Sequence, residues 1–265
     1  MSRNILYPTL EVDTNNPKHQ WIVRYLLEDN VFRFKQNIQN LADEAADLNV
    51  RCVILSTEGI FNHWPDFSNV AKLALRGVAE NFKLTVWCVF REPISFAMSI
   101  YAQLVKNPPL DLAPCYGTCD TPETVVEHPW FTKRLDYAGF VLDMENLFSL
   151  PVVHATRYES NDIIQQARNL LGVDSEILQS VPNANRSLSM LGIDLMQRLN
   201  KLNLEKSERR IVVSAIIDLD RLVSPTSSRL NASNEMSRKV RAIAHKSEKF
   251  LFERFGIRWD DVSKQ

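Results

Sequence analysis

The sequence predicts an α/β protein, with a parallel sheet flanked by helices and a mainly helical C-terminal portion. Three observations carry this. The stretches "RCVILS" (51–56), "LTVWCVF" (84–90) and "PVVHAT" (151–156) are short, continuous apolar runs, the pattern of strands buried on both faces. Segments of helical period lie between them, as a strand–helix–strand crossover requires. Beyond residue 188 only helical periodicity remains.

Taken in chain order, residues 1–18 are polar and proline-marked, and 19–27 form a short helix. A longer helix covers 34–48, where Ile38, Leu41, Ala42 and Ala45 share one face. The strand 51–56 follows, then a helix over 69–82, the strand 84–90, and a helix over 94–106. After the strand 151–156, a helix over 162–171 is stopped by Gly172. Helices are expected at 188–199, 208–222 and 236–255, and the Ser/Asn-rich "SPTSSRLNASN" (224–234) is a loop. With no internal repeat or low-complexity tract, the expectation is one domain over residues 1–265.

Composition narrows the function classes. The 265 residues carry 31 basic and 32 acidic side chains, a net charge of −1, so no global basic field points to nucleic acid or an anionic membrane. "MSRNILYPTLEVDTNN" contains no apolar core of a signal peptide, and no apolar run approaches the roughly 20 residues of a spanning helix. A soluble, cytoplasmic protein without a transmembrane segment is expected. Of the four cysteines, Cys52 and Cys88 lie inside strand-like runs as buried thiols. Cys115 and Cys119 form Cys-Tyr-Gly-Thr-Cys in a proline-bounded loop. A metal there would need two more ligands, with His128 the only near one, so loop thiols or a local disulfide are the expectation, and no metal. The sequons at Asn185 and Asn231 carry little without a secretory signal.

The chemistry-bearing stretch is "VWCVFREPISFAMSIYAQL" (86–104). On a helix from 94, Ile94, Met98, Tyr101 and Val105 form the core stripe. Ser95, Ser99 and Lys106 fall on a neighbouring stripe about 100–140° around. Pro93 suits the first helical position. Arg91 sits at the carboxyl end of a strand, where open α/β sheets bind ligands. Arg91 and Ser99 can therefore converge on one anion, the guanidinium offering a fork of donors and the hydroxyl one more.

These residues resemble the 3′-phosphate-binding signature of the sulfotransferases that use 3′-phosphoadenosine 5′-phosphosulfate (PAPS). In that signature a hydrophobic strand enters Arg-x-Pro, a serine follows eight residues after the arginine, and aromatics lie just beyond. Arg91, Pro93, Ser99 and Tyr101 occupy these positions. "VILSTEGIFN" (53–62), "VVHATRYE" (152–159) and "NRSLSMLGIDLMQRLN" (185–200) fit the bacterial, carbohydrate-type branch in order, over roughly residues 4–255. The resemblance implies a P-loop/sulfotransferase-like three-layer fold. It also implies transfer of a sulfuryl group from PAPS to a hydroxyl or amine of a glycan, with Arg91 and Ser99 binding the nucleotide. By position in the family, Glu58 is the base that takes the acceptor's proton, and His63 is the runner-up.

One family element has no counterpart. Relatives open with a strand, a Gly-rich Lys-Thr/Ser loop and a helix that cradle the 5′-phosphosulfate. None of the seven glycines here lies in such a setting, and "NILYP" resembles the segment after that helix. The expectation is that this strand–loop–helix is absent and that some other backbone pairs with the exposed strands. "RIVVSAI" (210–216) is a candidate, although its length and neighbours favour a helix. Two alternatives stay open: a catalytically inactive descendant that binds nucleotide or glycan, and an unrelated α/β interaction protein. Arg157 with Tyr158 and Glu159 reads equally as a site support or a salt-bridged surface, and Asn185, Ser187 and Ser189 each suit a helix N-cap.

Overall fold

The computed structural model describes residues 4–8, 19–109, 113–149, 153–159, 163–172, 188–202, 204–224 and 230–259. The chain begins with β1 (Ile5–Leu6), α1 (Gln20–Leu27), α2 (Val31–Asp47), β2 (Cys52–Val53), α3 (Gly59–His63), α4 (Asn69–Arg76) and α5 (Val78–Asn81). Then come β3 (Val86–Phe90), α6 (Pro93–Lys106), α7 (Pro122–Val125), α8 (Pro129–Thr132), α9 (Tyr137–Phe148) and β4 (Val153–Arg157). Helices α10 (Ile163–Leu171), α11 (Met190–Asn200), α12 (Lys206–Val223) and α13 (Asn234–Phe255) complete it.

The described residues are 66% helical, and their strands form two parallel two-stranded ladders, β1–β2 and β3–β4. Parallel strands with intervening helices agree with the α/β class. Among the described residues, however, no single sheet joins all the strands. The expected strand 51–56 shortens for a visible reason. The Ile54 N–H still donates to the Leu6 carbonyl at 2.9 Å, but both backbone groups of Ser56 are claimed by His19. The Ser56 N–H donates to His19 Nδ1 at 2.8 Å, and its carbonyl accepts from the His19 N–H at 2.9 Å. Backbone polar groups in native structure are paired somewhere, and here His19, through its ring and its own N–H, stands where a neighbouring strand would. "RIVVSAI" lies in α12 and supplies no strand. No helix of the described residues is long and apolar enough to cross a membrane.

Two compact units are distinguished by their internal contacts: residues 1–88 with 138–156, and residues 89–137 with 157–265. In the first, α1 buries Trp21, Ile22, Val23 and Leu26, and α2 buries Phe34, Ile38 and Leu41. The helix expected over 69–82 is two, divided at Gly77. Phe140 of α9 meets the rings of Phe61 and Trp64 edge-on, and Asp143 accepts the Trp64 indole N–H at 2.8 Å.

In the second unit, α6 buries Ala97, Met98, Tyr101, Leu104 and Val105 in a core shared with Phe131, Leu135, Met196, Met236 and Val240. The α11–α12 pair is pinned by a buried polar latch. The Ser189 N–H donates to Asp220 at 3.1 Å and its hydroxyl donates to the same carboxylate, while that hydroxyl caps α11 by accepting from the Gly192 N–H. A Cβ on Gly192 would lie 2.8 Å from Asp220 Oδ1, so the close approach admits no side chain there. Of the three N-cap candidates, Ser189 does the capping; Asn185 and Ser187 lie outside the described residues.

Candidate functional site

β3 delivers Arg91 directly to α6, and the turn between them is held from three sides. Glu92 is the N-cap of α6, its carboxylate accepting the Ser95 N–H at 2.6 Å, and Pro93 takes the first helical position. The Tyr137 hydroxyl donates to the Arg91 carbonyl at 3.2 Å, with the Tyr137 ring stacked on Phe90 at 4.8 Å between centroids. The Tyr158 N–H donates to the Phe90 carbonyl at 2.8 Å, which extends the β3–β4 ladder past the end of β4. Burial holds the Tyr137 phenol far above its ordinary pKa, so it acts as a neutral donor.

Arg91 and Ser99 do come together. Nη1 of Arg91 donates to Ser99 Oγ at a long 3.4 Å, from the strand end to the second turn of α6. The guanidinium lies over the Tyr158 ring, 4.5 Å from its centroid, a cation–π contact that leaves the in-plane N–H groups available. Among the described residues no carboxylate forms an ion pair with Arg91, and the side chain is half-buried. The result is a positioned cation with a hydroxyl beside it, able to take an oxyanion. Against this stands Glu92, whose negative carboxylate already occupies the α6 N-terminus, where an anion would also be favoured.

Glu58 and His63 lie in the first unit, Arg91 and Ser99 in the second. Glu58 is exposed at the N-cap position of α3 and its side chain makes no cap bond; Thr57 Oγ1 accepts the Gly59 N–H instead, at 3.0 Å. His63 is engaged through Nδ1 with Asp66 Oδ2 at 3.2 Å. Arg157 pairs with Glu159 at 3.4 Å and donates to the Arg258 carbonyl at 2.9 Å, the structural role considered for it above.

All four cysteines are free thiols, so the local disulfide considered for Cys115 and Cys119 is not formed. Cys115 is buried and its pKa is pushed up by that burial, whereas Cys119 is exposed and its thiol lies 3.4 Å from the Gln197 carbonyl. With Tyr116, Thr118, Asp120 and His128 they line a cavity of about 330 Å³. Among the described residues no three His, Cys, Asp or Glu side chains gather as a metal site. Beside this loop Tyr101 donates to the Asp120 carbonyl at 2.9 Å and accepts from Gln197 at 3.1 Å, its phenol pushed up to about 12, mainly by burial.

Tyr158, Tyr137 and Glu92 are the site residues that sequence reasoning did not assign. Glu92 was signalled by its place before Pro93, three residues ahead of Ser95. Tyr158 was signalled by its position just past a strand. Tyr137 reaches Arg91 from a distant part of the chain, and no local pattern announces it. Neither a protein-family model, nor a curated protein, nor a solved structure matches this chain.

Proposed function

We propose that the protein is sulfotransferase-like and transfers a sulfuryl group from PAPS to a hydroxyl or amine of a carbohydrate in the cytoplasm. The observation that supports this reading most is the Arg91–Ser99 pair at the carboxyl end of β3. In it, the guanidinium and the hydroxyl hold the nucleotide's 3′-phosphate, and Tyr158 keeps the guanidinium in place. Glu58 takes the acceptor's proton as the acceptor oxygen or nitrogen forms its bond to sulfur. The S–O bond to the 5′-phosphate breaks, and adenosine 3′,5′-bisphosphate leaves. The reading takes the two ladders as parts of a three-layer sulfotransferase-like fold. It gives the chain a nucleotide and a glycan as partners.

A second reading, a non-catalytic nucleotide or glycan binder, is favoured by Glu92. A carboxylate capping α6 removes a helix-end donor that an anion would otherwise use.

Calorimetric titration of adenosine 3′,5′-bisphosphate tests the shared premise, with adenosine 5′-monophosphate and Arg91→Ala as controls. Binding that needs both the 3′-phosphate and Arg91 is the expected result. No heat at millimolar nucleotide would remove the first reading and leave of the second only a glycan binder. Binding without sulfuryl transfer to any glycan acceptor would leave the second.

A further inference from the structure

The segment that follows α13 is closely tied down. Gly256 adopts φ +70°, a left-handed conformation that glycine takes without strain, and its N–H donates to the Phe252 carbonyl at 2.9 Å. The Ile257 N–H reaches back to the Leu251 carbonyl at 3.3 Å, and the Ile257 side chain is buried. These bonds end the helix and give residues 257–259 a fixed exit from it. Two contacts then show where the segment goes. The Arg258 carbonyl accepts from Arg157 Nη1 at 2.9 Å. Trp259 is only 9% exposed and sets its ring edge-on to that of Tyr137, with 6.3 Å between centroids.

Both contacts fall on the supports of Arg91. Tyr137 is the residue whose hydroxyl holds the Arg91 carbonyl and whose ring stacks on Phe90. Arg157 is the immediate neighbour of Tyr158, whose N–H extends the β3–β4 ladder and whose ring carries the Arg91 guanidinium. The support of the Arg91 backbone and the support of its side chain come from distant parts of the chain, and one four-residue segment touches both. All of these residues belong to the second unit. The Trp259 indole N–H is buried with no hydrogen-bond partner among the described residues, so the ring, rather than a polar bond, is what it brings to Tyr137. A guanidinium lying on an aromatic face has no fixed in-plane direction of its own. Where its N–H groups point depends on how firmly the surrounding residues are held.

We propose that residues 256–259 form a strap that sets the aim of Arg91, with Trp259 as a positioning residue acting through Tyr137. This rests on the reading of Arg91 and Ser99 as an oxyanion site, whose affinity then depends on the segment after α13. Two measurements on the full chain test it, with Trp259→Ala and the ring-preserving Trp259→Phe. The first is amide hydrogen exchange by NMR, which needs no ligand. Exchange of the Tyr158 N–H should quicken by up to about tenfold in Trp259→Ala, the worth of one aromatic pair, and stay near the parent rate in Trp259→Phe. The Ile193 N–H, bonded to the Ser189 carbonyl at 3.0 Å in α11, is the control and should not change. The second is calorimetric titration of adenosine 3′,5′-bisphosphate and adenosine 5′-monophosphate. Trp259→Ala should lose several-fold of the parent's preference for the bisphosphate and keep its affinity for the monophosphate, a split that general loosening would not produce. Unchanged exchange at Tyr158, equal acceleration at Ile193, or a phenylalanine variant no better than alanine would each overturn the strap. If neither nucleotide binds the parent, the nucleotide reading fails, and the exchange rates still decide whether the strap braces this turn.

Discussion

Glu123 in α7 receives the hydroxyl of Ser233, the residue that also caps α13 by accepting the Met236 N–H at 3.0 Å. That hydroxyl is the main reason the Glu123 carboxyl is held below its ordinary 4.5. A lowered folded pKa stabilises the protein above the unfolded value, and the contribution is lost as pH falls through the folded one. Glu123→Gln should therefore be less stable than the parent at pH 7, by at most about 1 kcal/mol for a largely solvated contact. The difference should shrink as pH drops below about 4.5. Urea unfolding across that range checks it; a constant difference at all pH values would assign Glu123 a packing role instead.

At the scale of the element, the start of α6 sets stability against anion binding. Glu92 satisfies a helix-end donor, and Glu92→Ala should cost about 1 kcal/mol of stability, as cap removals do. Glu92→Ser keeps a capping oxygen and discards the charge. Its melting temperature should stay close to that of the parent, while its affinity for adenosine 3′,5′-bisphosphate rises several-fold if Arg91 and Ser99 take the phosphate. Unchanged affinity would mean the phosphate does not approach α6. The local elements were legible in the sequence wherever a stripe was long. The helices around Leu41, Met98 and Val240 followed from apolar spacing alone. β1 was not legible, because a two-residue strand has no period. α9 was not either, since "YAGFVLDMENLF" is apolar around most of its circumference. α7 and α8 are single turns begun by Pro122 and Pro129, too short to show a face.

For the molecule as a whole, the residues nearest the site were legible and their long-range supports were not. Arg91, Pro93 and Ser99 are close in sequence, and helix geometry brings them together. Tyr137 and Tyr158 reach the same turn from 46 and 67 residues away, a closure that only the folded chain reveals. The same interleaving governs the first unit, which needs residues 138–156 as well as 1–88. A fragment ending at Cys88 would lose the Asp143 acceptor for Trp64 and both edge-on contacts to Phe140. An orphaned buried donor costs about 1–3 kcal/mol and each aromatic pair about 0.5–1.5 kcal/mol. Against a total stability of about 5–15 kcal/mol, that loss should leave the fragment without cooperative unfolding. Near-UV circular dichroism during urea titration measures this, and a sharp transition in the fragment alone would refute it.

The four free thiols also provide a clock. Cys119 is exposed and should alkylate first, whereas Cys88 and Cys115 are buried and wait for the chain to open around them. Cys88 belongs to the first unit and Cys115 to the second. Timed iodoacetamide labelling read by peptide mass spectrometry would therefore give two opening rates from one unmodified protein. Equal rates would mean that the two units breathe together, and unequal rates would rank them.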